Sequence, residues 1–438
     1  MLSRRRFLST SSSAALLWSC RANAQRSRNP ADVPLTGPLP ESISALRPMT
    51  GQVRPITNAE REARIEQARR LMSAEKIEAI VLSGGASPQY FVNLQMGGGE
   101  RLWALVMPAK SNPFLVCPAF EEERAREMIA GTPIEKEAVI RTWQEDENPY
   151  ELLIKTLKDR GIRSGKVGIE ETVKFVFADG IAHAGAPSFQ VVSATPVTAG
   201  CRMIKDAHEI ECLRIAGQAT VRVYEAVYKA LAEGMTQRDV SALVQAAYAR
   251  VGFPGGASLN IGKFTASPHG SRTPQTIREG TILMLDDGCR VEGYTSDITR
   301  TFVLGKPTDK MRQVFEIVQS AQKAALAAAK PGVPNGEVDA AARKVIVDAG
   351  YGPGFKYFTH RVGHGMGMEM HEWSYLVKNN MFGWPAQPVL RAGMVFSDEP
   401  GIYIPGEFGI RLEDDLHVTE EGAELLTAAS PSLEHPFG

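Results

Sequence analysis

Residues 281–301 read Thr281-Ile282-Leu283-Met284-Leu285-Asp286-Asp287-Gly288-Cys289-Arg290-Val291-Glu292-Gly293-Tyr294-Thr295-Ser296-Asp297-Ile298-Thr299-Arg300-Thr301. An apolar run, Ile282 to Leu285, ends in one carboxylate, Asp286, and a second, Asp297, opens another strand-like run from Ile298 to Leu304. Gly288 and Gly293 supply turn chemistry between them, so the two runs are predicted to pair as a hairpin that brings the carboxylates together. Alone, two carboxylates at strand ends are explained equally well as turn caps and solvated charges.

Downstream, His360-Arg361-Val362-Gly363-His364-Gly365-Met366-Gly367-Met368-Glu369-Met370-His371 places three of the chain's 8 histidines within one short glycine-rich stretch. Imidazole is the commonest metal ligand and a proton shuttle near neutral pH, and glycines let backbone approach a ligand closely. A further pair of carboxylates follows on apolar runs, Glu399 in Phe396-Ser397-Asp398-Glu399-Pro400-Gly401 and Glu413 in Gly409-Ile410-Arg411-Leu412-Glu413-Asp414-Asp415. Burying ionised carboxylates costs several kcal/mol each unless positive charge compensates. A cation is the economical partner for Asp286, Asp297, Glu399 and Glu413 with His364. That set is hard and oxygen-rich, suited to manganese, iron, cobalt or zinc in a paired site.

These segments resemble the metallopeptidase family of methionine aminopeptidase, aminopeptidase P and prolidase, and lie closest to its Xaa-Pro aminopeptidases. The family pattern D-x-G then Y-x-S-D-I-T-R-T is present at Asp286 to Gly288 and Tyr294 to Thr301; G-H-x-x-G and H-E at Gly363 to Gly367 and His371-Glu372; E-P-G-I-Y at Glu399 to Tyr403; and G-I-R-x-E-D at Gly409 to Asp414. The resemblance implies an α/β (α+β) architecture, a pita-bread catalytic domain over 203–438 preceded by a smaller creatinase-like N-terminal α/β domain over 56–202. It implies two divalent metals, manganese first among the candidates, with zinc, cobalt or iron as alternatives, held by Asp286, Asp297, His364, Glu399 and Glu413. Hydrolysis of peptide bonds preceding proline by a hydroxide between the metals would follow, as an Xaa-Pro aminopeptidase on longer peptides or a prolidase on dipeptides, with peptides carrying proline at the second position as substrates. Glu399 would relay the proton, His269 and His371 would contact the substrate, and His360 and Arg411 would line its pocket. A homodimer or larger assembly is also implied. Trp373-Ser374-Tyr375 follows His371-Glu372 where the family commonly has proline. That departure leaves a second reading, a metal-dependent dimethylsulfoniopropionate lyase-like or creatinase-like enzyme on the same fold.

The rest of the chain is consistent with two domains. Gly234, Val240 and Gly252 recur at equal offsets as Gly332, Val338 and Gly350, each set after a long predicted helix (208–233 and 310–330), as expected of two similar halves. Upstream, a helix over 59–76, strands at 77–82, 103–107 and 113–117 and a charged helix over 121–129 alternate as in an α/β domain. The prolines of 25–55 suggest an extended linker over the surface.

At the N-terminus, Ser3-Arg4-Arg5-Arg6-Phe7-Leu8, a short apolar run and Ala22-Asn23-Ala24 resemble a twin-arginine export signal over 1–24. Export through the twin-arginine machinery to the periplasm is the expectation, with lipid attachment at Cys20 the lesser alternative. A formal net charge of -1 offers no basic excess for phosphate neutralisation, so no nucleic-acid role is expected.

Overall fold

The computed structural model describes residues 37–379 and 388–437. The expected export signal, Cys20 included, lies outside the described residues.

The described part of the expected linker is more tightly held than an extended surface segment. It forms a short helix, α1 (Glu41–Ser44), that packs on the catalytic domain, with Ile43 and Met49 buried. Ser42 Oγ donates to the Ala226 carbonyl at 2.7 Å, and the Met49 amide to that of Val251 at 2.9 Å. Two isolated apolar residues among prolines leave no period to read, yet each fills a hole in the neighbouring domain.

The N-terminal domain is a mixed sheet between helices. After α2 (Asn58–Glu75), started by a Thr57–Glu60 capping box, come β1 (Ile77–Leu82), α3 (Ser87–Val92), β2 (Ala104–Pro108), β3 (Phe114–Pro118), α4 (Glu122–Ile129), β4 (Val139–Trp143), α5 (Pro149–Asp159), β5 (Gly165–Ile169), α6 (Phe175–Gly185), β6 (Phe189–Ser193) and α7 (Thr195–Arg202). The strand order is β4-β3-β2-β1-β5-β6, with β1–β2 and β2–β3 antiparallel and the other pairs parallel. Successive β1 side chains feed opposite faces. Ile80 and Leu82 join the core with α2, α3 and α7, while Ala79 and Val81 join the core with α5 and α6. Covering both faces is why β1 reads as an almost unbroken apolar run.

The remainder holds two similar units. The first comprises α8 (Ala207–Tyr228), α9 (Gln237–Val251), β7 (Ser258–Ile261), β8 (Ile282–Asp287), β9 (Arg290–Val291), β10 (Tyr294–Thr295) and β11 (Ile298–Val303). The second comprises α10 (Asp309–Ala328), α11 (Asn335–Asp348), β12 (Gly363–Gly365), β13 (Glu372–Leu376), β14 (Val395–Asp398), β15 (Gly401–Ile404), β16 (Phe408–Arg411), β17 (Asp414–Val418) and β18 (Ala423–Leu425). Their main sheets run β11-β8-β7 and β13-β12-β14-β17-β18, and a β-bridge from Thr299 to Glu413 joins the units.

The repeated positions have repeated jobs. The Gly234 amide donates to the Ile277 carbonyl at 3.0 Å and the Ile277 amide to Met235; the Gly332 amide donates to Leu390 at 2.8 Å and the Leu390 amide to Val333. Both glycines sit at positive φ, 89° and 84°, which lets the chain turn from helix into this pairing. Val240 and Val338 are both buried beneath. The sequence echo therefore marks one αα-to-strand unit used twice.

Candidate metal centre

The predicted hairpin is present, β8 against β11, with Asp286 directly across from Thr299. Between them, β9 and β10 form a smaller hairpin. A side chain at residue 288 would put its Cβ 1.9 Å from the Ser296 carbonyl oxygen, so glycine is needed there for the chain to return and bring Asp297 back beside Asp286. Thr299 Oγ1 lies 2.9 Å from Asp286 Oδ1 and also meets Glu413, tying carboxylates from the two units to one hydroxyl.

The second unit adds three more groups. His364 sits on β12, Glu399 follows β14, and Glu413 stands between β16 and β17 at the bridge to Thr299. His364 Nδ1 faces the Gly365 carbonyl at 3.2 Å. A carbonyl only accepts, so Nδ1 carries the proton and the Nε2 lone pair is left facing Asp297 Oδ2 at 3.6 Å and Glu399 Oε1 at 3.5 Å. Three sets of donor atoms each gather within 4.8 Å: Asp286, Asp297 and Glu413; His364, Glu399 and Glu413; and Asp297, His364 and His371.

The electrostatics favour a divalent partner. Burial, with neighbouring carboxylates adding, pushes Asp297 and Glu413 well above the usual carboxylate range. Burial raises Glu399 to about 7, even with the Arg411 guanidinium close by. The same burial drives His364 far below its ordinary value, keeping it neutral. Four carboxylates crowded in this way do not all ionise unless cations sit among them, and a neutral imidazole presents a free lone pair. The donors present fit a pair of divalent ions.

Around this centre lies a cleft of about 470 Å³, lined by all nine residues singled out from the sequence: Asp286, Asp297, His364, Glu399, Glu413, His269, His371, His360 and Arg411. His371 stacks on His364. Arg411 is fully occupied. It meets Asp286, donates to Thr299 Oγ1 and the Pro268 carbonyl at 3.1 Å each, and donates to the Tyr403 hydroxyl at 3.0 Å. His360 Nδ1 faces the Arg361 carbonyl at 2.8 Å, so its Nε2 accepts from Tyr403 Oη at 2.7 Å. Burial holds that imidazole down at about 3, and it remains neutral.

Three residues of this centre were not singled out in advance. Thr299 and Tyr403 lie inside the quoted motifs, but their hydroxyls acquire meaning only from partners that folding brings to them. Arg361 stands beside His360 in the sequence and lines the same cleft. A cation next to a ligand cluster is a signal that charge alone could have raised.

Fold and donor set define a pita-bread metalloenzyme with an N-terminal creatinase-type domain. Residues 211–420 match metallopeptidase family M24, and residues 64–204 match the creatinase/prolidase N-terminal domain. A putative dipeptidase YkvY of Bacillus subtilis (strain 168) is 37% identical over 332 residues, 75% of this chain and 87% of that protein. An Xaa-Pro dipeptidase of Lactobacillus delbrueckii subsp. lactis is 32% identical over 365 residues, 82% of this chain and 95% of that protein. The crystal structure of dipeptidase PepE from Mycobacterium ulcerans matches with a TM-score of 0.78 at 32% identity, covering 87% of this chain and 99% of that one. The chain belongs to metallopeptidase family M24.

Proposed function

We propose that this chain is an Xaa-Pro dipeptidase that works with two divalent ions, manganese by preference. The observation that carries the choice of a dipeptide over a longer peptide is Arg361. Of the two arginines lining the cleft, Arg411 is consumed by the centre, whereas Arg361 lies 4.1 Å over the Tyr375 ring and, among the described residues, its guanidinium makes no ion pair or hydrogen bond. A half-buried guanidinium free to bind is what a substrate carboxylate near the scissile bond requires, and a dipeptide supplies one. The relative named Xaa-Pro dipeptidase, aligned over almost its whole length, supports the same reading. Phe355, Met370 and Val377 offer apolar surface in the cleft for a proline ring.

Asp286, Asp297, His364, Glu399 and Glu413 would hold the ions, which when bound supply Lewis acidity and lower the pKa of water. Glu399, raised to about 7 by burial, is suited to take the attacking water's proton and deliver it to the proline nitrogen. His371, kept neutral by burial, and His269 offer donors to the scissile carbonyl oxygen as it gains charge.

The test is release of proline from Ala-Pro by protein from Gln25 onward loaded with manganese, with Ala-Pro-Ala and Ala-Ala alongside. Selective cleavage of Ala-Pro that disappears in Asp297→Ala supports the dipeptidase. Preference for Ala-Pro-Ala assigns an Xaa-Pro aminopeptidase instead, and full metal content without cleavage of any of the three removes the proline-peptidase reading.

We also propose twin-arginine export, supported by Arg4-Arg5-Arg6 ahead of Phe7-Leu8. That route carries folded protein, so metals could be loaded before transport. In a fractionation of the source cells, the enzyme should leave the periplasm when Arg4 and Arg5 are both changed to lysine; unchanged export would sink the proposal.

A further inference from the structure

His371 faces the cleft on a loop that an arginine of the other domain contacts. Among the described residues no side-chain hydrogen bond holds its imidazole, and its described ring contact is the stack on His364. Where the ring stands therefore depends on its backbone, residues 366–372. That backbone is bracketed by two carboxylates, Glu369 two residues before His371 and Glu372 just after it. Both point at Arg202, the last residue of α7 in the N-terminal domain. Arg202 Nη2 lies 2.6 Å from Glu369 Oε2 and 2.6 Å from Glu372 Oε1, and Nη1 donates to Ser87 Oγ of α3 at 3.1 Å.

The bracket is closed on itself, buried on its Arg202–Glu372 side, while the Glu369 side chain is 34% exposed. Glu372 Oε1 also accepts the Glu369 amide at 2.9 Å, and Lys205 Nζ, from the interdomain connection, stands 3.6 Å from Glu372 Oε2. The Arg202 and Glu372 side chains are only 9% and 4% exposed. From the catalytic side, the Thr295 amide donates to the Gly367 carbonyl at 2.8 Å. Buried ion pairs of this kind give little net stability over a well-packed apolar substitute. What a two-pronged guanidinium gives is fixed direction, because its planar fork meets each acceptor at one angle.

We propose that Arg202 is a positioning residue for His371: through Glu369 and Glu372, the N-terminal domain sets where that imidazole meets the substrate carbonyl. Its effect on turnover rests on the dipeptidase reading; its effect on the loop does not. Misplacing a catalytic group by about 1 Å costs on the order of 100-fold in rate. Substrate contacts elsewhere in the cleft are untouched, so the loss belongs in kcat.

The experiment combines Arg202→Met and, separately, Glu369→Gln with His371→Ala in the full-length, manganese-loaded enzyme, with metal content measured for each. Either change alone should lower kcat on Ala-Pro about 10- to 100-fold with KM little altered, and the loss should shrink to roughly twofold or less in the His371→Ala background, because residues acting through one group are not additive. Amide exchange of residues 366–372 in the metal-free protein should accelerate in Arg202→Met while α10 and α11 stay protected. Equal losses with and without His371, or unchanged exchange in that loop, would overturn the proposal. Glu369→Gln leaves the Arg202–Glu372 pair in place and carries the kinetic test should Arg202→Met fold poorly. If the wild type does not turn over Ala-Pro, the dipeptidase reading fails, and the exchange measurement still decides whether Arg202 governs the loop.

Discussion

The imidazoles of His364 and His371 lie 3.8 Å apart, centroid to centroid, inclined by only 20°. His364 turns its lone pair toward the carboxylates, so the ring stacked on it stands at the edge of the donor set, where a substrate carbonyl would approach. His371→Ala should therefore keep full metal content and lower kcat by about 100- to 1000-fold, the usual cost of one oxyanion donor. Metal analysis alongside kinetics checks it. A loss of one ion would instead make His371 a ligand, which its grouping with Asp297 and His364 also permits.

Arg361 provides a prediction about substrate length. Arg361→Met should raise KM for Ala-Pro about 10- to 100-fold, the cost of a charge-assisted pair, with a much smaller effect on the neutral amide Ala-Pro-NH2. Equal losses on both substrates would show that the guanidinium does not read a carboxylate.

Acidity should govern the metal-free protein in a direction that the site fixes. Burial raises Glu399 from 4.5 to about 7, and raises Asp297 and Glu413 as well. Such a carboxyl holds its proton more tightly folded than unfolded, so its contribution to stability is present below about 4.5 and is lost as pH climbs through about 7. Buried His360, His364 and His371, held below their ordinary value, act in the opposite sense up to about pH 7, so the metal-free Tm should fall from about pH 7 to about pH 8.5, and manganese should restore more at pH 8 than at pH 5. Calorimetry at pH 6 in two buffers of different ionisation enthalpy should record protons released on metal binding. A metal-free Tm that rises over this range would contradict the assignment.

Gly288 is a steric prediction. Since a Cβ there would overlap the Ser296 carbonyl, Gly288→Ala must shift backbone, and thermal unfolding should show a loss of about 3 kcal/mol together with weakened metal binding. Wild-type stability and metal content would mean that the hairpin can open without moving Asp297.

The cluster of candidate donors was legible in the sequence because each of its residues sits in a short motif whose residue types state its chemistry, and the repeated glycines pointed to the duplicated unit. Contacts made at long range left weaker marks. Arg202 and Glu372 are 170 positions apart, and nothing local to either announces the other. Tyr403 reads as one more apolar-strand residue until His360 and Arg411 are seen against its hydroxyl. Ile43 and Met49 follow no period, so the segment carrying them reads as a linker until the catalytic domain is folded beneath it. The N-terminal sheet order β4-β3-β2-β1-β5-β6 depends on which strand ends meet, information that apolar runs do not carry.

The donors are divided between the repeated units: Asp286 and Asp297 belong to the first, and His364, Glu399 and Glu413 to the second, joined at the Thr299–Glu413 bridge. A chain still emerging from the ribosome with only its first unit folded thus carries two acidic side chains and no hydrolytic centre. The five donors come together only when the second unit packs on the first, so the chain acquires its centre in one step.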